Sequence, residues 1–130
     1  GHFVLETWFK RAKAFAGYAA ISPSLQWDSQ RLSIAIMAEA DAAKQANRPP
    51  LYFSLADEGG AFEEGVLRVA SSLPTEQPWC FSDRREDLQH STALHSLLPE
   101  ALQYLMPTDA DWLDEFGFTL RCDQGGRGAQ

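Results

Sequence analysis

The sequence predicts an α/β domain of three layers, with helices on both faces of a parallel sheet. Two observations predict it. Hydrophobic spacing switches repeatedly between the helical and the extended period, and the switches coincide with turn signals at Ser22-Pro23-Ser24, Asn47-Arg48-Pro49-Pro50, Glu58-Gly59-Gly60, Pro74 and Pro107. The resulting order is helix, strand, helix, strand, helix, strand, helix. Such alternation implies right-handed β-α-β crossovers and hence parallel strands.

Val4, Leu5, Trp8, Phe9, Ala12 and Phe15 recur at helical spacing and form the first helix. Gly17–Ile21 is short and apolar on both faces, as a buried parallel strand is. Leu32, Ile34, Ala35, Ala38, Ala42 and Ala46 place a second helix, which Pro49-Pro50 cannot continue. Leu51–Leu55 is the second strand. Phe62, Val66, Leu67, Val69 and Leu73 mark a third helix, and Pro78–Ser82 a third strand. Leu94, Leu97, Leu98, Ala101, Leu102 and Leu105 line one face of a last helix, with Thr92 near its start and Pro107 past its end. Asp123–Gln130 is Gly-rich, has little to bury, and reads as disordered.

One difficulty follows. Three strands make a small sheet, and Gly17–Ile21 has the composition of a central strand. Left at an edge it would expose unpaired backbone groups. The expectation is an incomplete sheet, completed by further sequence or by another chain.

Composition removes several function classes. The 130 residues carry 45% hydrophobic and 22% charged side chains, which is globular. Eighteen acidic against 11 basic residues give a net charge of -7, the wrong sign for neutralising phosphates, so nucleic acid is not an expected partner. No apolar run approaches the roughly 20 residues a membrane helix needs. Cys80 and Cys122 are too few for a disulfide framework or a Cys-rich metal site, and Cys80, between Trp79 and Phe81, reads as core.

In open α/β sheets, ligands bind at the carboxyl ends of the strands. That rule selects the loops Ser22–Asp28, Asp57–Gly60 and Asp83–Ser91. The second holds Asp57 and Glu58, and the third holds His90. An acid after one strand and a histidine after the next is the downstream half of a Ser…Asp/Glu…His order. The carboxylate would accept the imidazole N–H, fixing the tautomer, and His90 would shuttle the proton of a serine hydroxyl. Taken alone, the spacing fits a solvated loop better than a catalytic pair.

Phe15-Ala16-Gly17-Tyr18-Ala19-Ala20-Ile21-Ser22-Pro23-Ser24-Leu25-Gln26-Trp27-Asp28 closely resembles the putative-esterase family of α/β-hydrolases, which includes enterochelin (ferric-siderophore) esterases and relatives of esterase D. Gln26 departs from the family's Trp. Leu51–Glu58 looks like the strand and loop that deliver the family's acid. Asp87-Leu88-Gln89-His90-Ser91, with Leu97, Ala101, Leu102 and Leu105, looks like its Glu-x-x-His-Ser segment and final helix. The resemblance covers about residues 3 to 107 and implies the C-terminal part of an α/β-hydrolase fold. It implies a serine esterase working through an acyl-enzyme, on a carboxylic ester that includes siderophore esters as candidates, with no cofactor. His90 would be the base. Glu58, matching the family's frequent Glu, is favoured over Asp57 as its partner, and a Ser-His dyad would use neither.

The family's nucleophile sits in a Gly-His-Ser-x-Gly-Gly elbow, whereas this chain opens Gly1-His2-Phe3-Val4. Either Gly1-His2 is a tag remnant ahead of a fragment, or the serine turn is missing. On both readings the chain alone is expected to show little esterase activity. The partner would be the N-terminal half of the domain, or a second copy at the open strand edge. Relatives work in cytoplasm and periplasm, which leaves the compartment open.

The remaining polar residues have plain readings beside sharper ones. Trp27 and Asp28 would shape an acyl or aromatic pocket, or be a packed aromatic and a helix cap. Arg85, with Arg84, would meet an anionic substrate, or simply answer Glu86 and Asp87. Ser22 and Ser24 read as turn residues, and His95 as a surface histidine. Asp109–Glu115 lacks the Gly and ligand spacing of a calcium loop and reads as a solvated helix start.

Overall fold

The computed structural model describes residues 1–40, 47–107 and 120–128. Helix α1 (His2–Lys10) leads through a 3-10 turn (Ala12–Ala14) to strand β1 (Tyr18–Ala20). Helix α2 (Trp27–Ala38), strand β2 (Leu51–Leu55), helix α3 (Gly60–Ser72), strand β3 (Trp79–Asp83) and helix α4 (His90–Leu105) follow, and β4 (Gln124–Gly125) comes last. The sheet order is β1-β2-β3-β4, with β1, β2 and β3 parallel and β4 antiparallel to β3. The expected α/β class and alternation are therefore present, on a mostly parallel sheet.

Strand parity divides the core. Tyr18, Ala20, Leu51, Phe53, Leu55, Trp79 and Phe81 face one side, where Leu5 and Trp8 of α1, Leu32 and Ile36 of α2, and Val66 and Val69 of α3 pack on them. Tyr52 and Cys80 face the other side with Ala19 and Ile21, beneath Ala101 and Tyr104 of α4. All five residues of β2 are buried, as expected for a strand flanked on both edges and covered on both faces. Where α2 crosses α3, Gly65 lies against Leu25 so closely that a Cβ would sit 2.7 Å from the Leu25 Cβ.

Several expectations are corrected. The first helix ends at Lys10 rather than running on to Phe15. The Tyr18 hydroxyl donates toward the Arg11 and Ala12 carbonyls (3.1 and 2.9 Å) and accepts from the Phe15 N–H (3.2 Å), taking up the groups that further helical turns would need. Helix α2 opens with left-handed φ at Asp28, Ser29 and Gln30, so its right-handed part begins at Arg31. The continuation of this helix expected through Ala42 and Ala46 lies outside the described residues, as do the whole acidic stretch Asp109–Glu115 and the end of the tail.

The tail expected to be disordered contributes β4. Gly126 N–H donates to the Trp79 carbonyl (3.0 Å) and Asp123 N–H to that of Phe81 (2.8 Å), while the Asp123 carboxylate accepts from the Asp83 N–H (2.7 Å). The two cysteines, although too few for a framework, form one disulfide between Cys80 and Cys122, 42 residues apart in sequence. Composition misled for the tail, because a few backbone hydrogen bonds and one crosslink hold this segment without a hydrophobic run, while Cys80 is buried in the core as expected. Gly1, exposed, and His2, half-buried, stand at the start of α1. The Gly1 carbonyl accepts from the Leu5 N–H (3.0 Å), and a Cβ on Gly1 would fall 2.7 Å from the Pro23 Cα.

Candidate functional site

The loops that leave β2 and β3 are tied together before any side chain is considered. The Arg84 N–H donates to the Leu55 carbonyl, and the Asp57 N–H to that of Leu88, both at 2.8 Å. Gly59 and Gly60 follow with φ of 65° and 57°, a left-handed pair that turns the chain at once from the acid loop into α3. On the other side, Gln89 and Thr92 form a reciprocal capping box that fixes the start of α4, so His90 occupies its first position.

These constraints bring Glu58 and His90 together. His90 Nδ1 lies 3.2 Å from Glu58 Oε1. The Glu58 side chain is 5% exposed, against 59% for His90, so a withdrawn carboxylate holds an accessible ring. Phe62, from the first turn of α3, meets the imidazole edge-on with centroids 5.6 Å apart. Glu58 Oε2 is buried without a hydrogen-bond partner among the described residues, leaving acceptor capacity beside the ring. Asp57 is exposed and contributes its backbone N–H to the loop junction, so of the two candidate acids the geometry selects Glu58.

A cavity of about 390 Å³ opens beside His90. Its walls combine Val4 of α1, Ala19 and Ile21 at the end of β1, and Leu94 and Leu98 of α4. Ser22 and Ser24 also border it. Ser22 is buried at φ 45°, and its N–H donates to Ser54 Oγ (3.1 Å), consistent with a turn role. Among the described residues no hydroxyl or thiol is hydrogen-bonded to His90. The chemistry present is a carboxylate-imidazole pair: Glu58 can hold the Nδ1 proton, leaving Nε2 to accept or deliver one.

Trp27 and Arg85 are not brought to this site. Trp27 is 67% exposed and borders a separate groove with Glu6, Lys10 and Arg31, while Asp28 pairs with Arg31 at 3.2 Å instead of capping a helix. Arg85 pairs with Asp83 (2.7 Å) and with Glu63, which neutralise it. Arg84 is not merely solvated either. It bridges Asp87 (2.6 Å) and the buried Glu100 (3.1 Å), and these partners hold its guanidinium firmly charged. Burial raises the Glu100 carboxyl above its ordinary value although Arg84 opposes the shift, and hydrogen bonds from Arg85 and Arg84 lower Asp83 and Asp87. His95 is exposed on α4.

Sequence reasoning overlooked Phe62 as a ring partner, counting it only as an apolar helix position. Its place four residues after Glu58, just past two glycines, was the available signal. Among the described residues no three His, Cys, Asp or Glu side chains converge as a metal site, and no helix is long and apolar enough to cross a membrane. No family model matches the chain, and no curated protein or solved structure matches it either.

Proposed function

We propose that this chain carries the acid–base half of a serine esterase, as the C-terminal part of an α/β-hydrolase domain of the putative-esterase family. The observation that supports it is the Glu58–His90 contact, formed by loops leaving the carboxyl ends of adjacent parallel strands. In the reaction, His90 takes the proton of a serine hydroxyl as it attacks the ester carbonyl, and returns it to the leaving alcohol. Water then repeats the cycle on the acyl-enzyme. Glu58 fixes the tautomer and stabilises the imidazolium. The serine and the oxyanion donors come from sequence outside this chain, so the chain by itself does not turn over esters. The apolar wall beside His90 fits the acyl or aromatic part of a carboxylic ester, siderophore esters among them.

The placement of α1 is consistent with this reading. Right-handed crossovers that proceed in one direction across a sheet keep their helices on one face. Helix α1 shares its face with α2 and α3, as it would if a further parallel strand preceded it on the free side of β1.

The test is hydrolysis of p-nitrophenyl esters by a protein that joins this chain to its upstream sequence. His90→Ala is expected to lower kcat by about a thousandfold or more, and Glu58→Gln by a smaller factor. Hydrolysis indifferent to His90→Ala would sink the proposal.

The unpaired outer side of β1 favours a second reading, a non-enzymatic module that self-associates through this edge. Tyr18 N–H points to β2, where it donates to the Pro50 carbonyl, so alternation directs the Ala19 N–H and C=O outward. Sedimentation of the 130-residue chain separates the readings: a stable dimer that Ala19→Pro dissolves supports the module, and a monomer rejects it.

A further inference from the structure

The opposite end of the sheet, where the strands begin, gathers positive charge that the acid–base site does not use. Phe9, Lys10, Arg11, Lys13, Asn47 and Arg48 border a cleft of about 590 Å³. Four of the chain's 11 cationic side chains meet there, in a chain whose net charge is -7. Five other described arginines are engaged: Arg31 with Asp28, Arg68 with Gln30 and Ser33, Arg84 with Asp87 and Glu100, Arg85 with Asp83 and Glu63, and Arg121 with Asp123, while Arg127, just past β4, has no acidic partner among the described residues.

Arg48 is different. Its guanidinium lies over the rings of Trp8 and Phe9, 5.3 and 5.6 Å from their centroids, and Nη2 donates to the Phe9 carbonyl at the end of α1 (3.2 Å). Its Nε and Nη1 are buried with no acceptor among the described residues. Glu39 attracts it without a hydrogen bond, and burial lowers its pKa, as expected for a charge whose hydration is lost and not replaced. Lys10 pairs with Glu6 at the surface (3.1 Å), while Arg11 and Lys13 have no acidic partner among the described residues. The helix C-terminus accounts for one cation at this position, through the Phe9 carbonyl. It does not account for four around a concavity.

The frame is also rigid. The Tyr18 hydroxyl pins the Arg11–Phe15 turn from one side, and the Arg48 N–H donates to Gln77 Oε1 on the other (3.2 Å). The backbone that carries Arg11, Lys13 and Arg48 is thus held in place before any ligand arrives.

We infer that this cleft is a binding site for a multiply charged oxyanion of the phosphate type, held by Arg48 with Arg11, Lys13 and Lys10. Several cations around one concavity match a dianionic group better than a single carboxylate, and guanidinium donors match its oxygens. The exposed side chains of Arg11 and Lys13 would close over the anion, and a small shift of Arg48 would offer it the unpaired donors.

The experiment is a titration of the full 130-residue chain with inorganic phosphate and pyrophosphate at constant ionic strength, followed by the amide and arginine Nε–H resonances. Saturable shifts are expected at Arg48 Nε–H and at the amides of residues 10–14, with pyrophosphate the tighter ligand. Lys13→Glu, an exposed change that does not threaten the fold, should weaken binding at least about tenfold, which is roughly 1.4 kcal/mol. Arg48→Met, which keeps the contact with the rings, should do the same, and Arg31→Gln should leave binding unchanged. Shifts that never saturate, that chloride reproduces, or that persist in Lys13→Glu would overturn the inference. So would a response to anionic vesicles without one to phosphate or pyrophosphate.

Discussion

The two edges of the sheet are handled in opposite ways. At the β3 edge a two-residue strand, β4, covers the exposed backbone, the Asp123 carboxylate takes the Asp83 N–H, Arg121 reaches the Asp83 carbonyl, and a disulfide fastens the whole segment. At the β1 edge none of these devices is present among the described residues, although Tyr18 and Ala20 are as buried as the residues of β3. Leu94, Leu98, Leu102 and Met106, four residues apart along α4, are exposed, and Leu94 and Leu98 border the cavity at the end of β1. An edge that must face water is usually blunted. The contrast teaches that β4 closes the β3 side of the sheet, whereas among the described residues the outer side of β1 is left open.

Removing the crosslink should have the largest effect. For a closed loop of this length the chain-entropy account gives about 4 kcal/mol, so Cys122→Ser is expected to lower the urea midpoint strongly. Reductant should do the same to the parent and nothing further to the variant. An unchanged midpoint would mean that backbone pairing alone closes this edge.

Gly126→Ala attacks the same edge without touching sulfur. Its Cβ would lie 1.9 Å from the Gln77 carbonyl oxygen and 2.5 Å from the Trp79 ring, so β4 must move. A loss of about 1–3 kcal/mol is expected, with faster hydrogen exchange at the Asp83 amide. Exchange that stays slow would show that Asp123 holds without β4.

Ala19→Pro sharpens the other half of the comparison. It removes an outward N–H and no bond to β2, so the monomer should lose little stability, about 1 kcal/mol or less. Any strand partner at β1 should be lost, and sedimentation together with unfolding of the same sample reads both effects.

The smallest effect concerns Glu100, which links α4 to the loop after β3. Its carboxyl is raised in the folded state, so its contribution to stability is complete below the unfolded carboxylate range and is lost as pH rises through the folded value. Asp83 and Asp87 are lowered, so theirs is present above that range and is lost as pH falls. Glu100→Gln should therefore gain slightly on the parent as pH climbs from 4 to 7 in thermal melts. A difference that does not vary with pH would refute this.

Much of this arrangement was legible before any coordinates. β2 was read with its observed bounds because Leu51-Tyr52-Phe53-Ser54-Leu55, apolar but for one serine, follows two prolines and admits few alternatives. Glu58 and His90 are singled out by the rule that sites lie at strand carboxyl ends, and the resemblance already favours Glu58 over Asp57, but the loop junction at Leu88 that turns Glu58 toward His90 is not encoded in spacing. Trp27 and Arg85 lie away from His90 for one reason: a residue in a strand-end loop need not point toward the neighbouring loops. Trp27 precedes a left-handed run, and Arg85 is claimed by Asp83 and Glu63. The cationic cleft was equally invisible, because Arg48 is separated from Lys10, Arg11 and Lys13 by more than thirty positions and meets them only across the start of the sheet.

The disulfide also has a mechanical meaning. Cys80 and Cys122 enclose the His90 loop and the whole of α4 in a covalent ring, so tension applied at the chain ends bypasses everything between them. A pulled molecule would extend short of its full contour by about 150 Å, the reach of those 42 residues, until the bridge is reduced. The histidine of the candidate site thus sits inside the one segment of the chain that force from the termini cannot stretch.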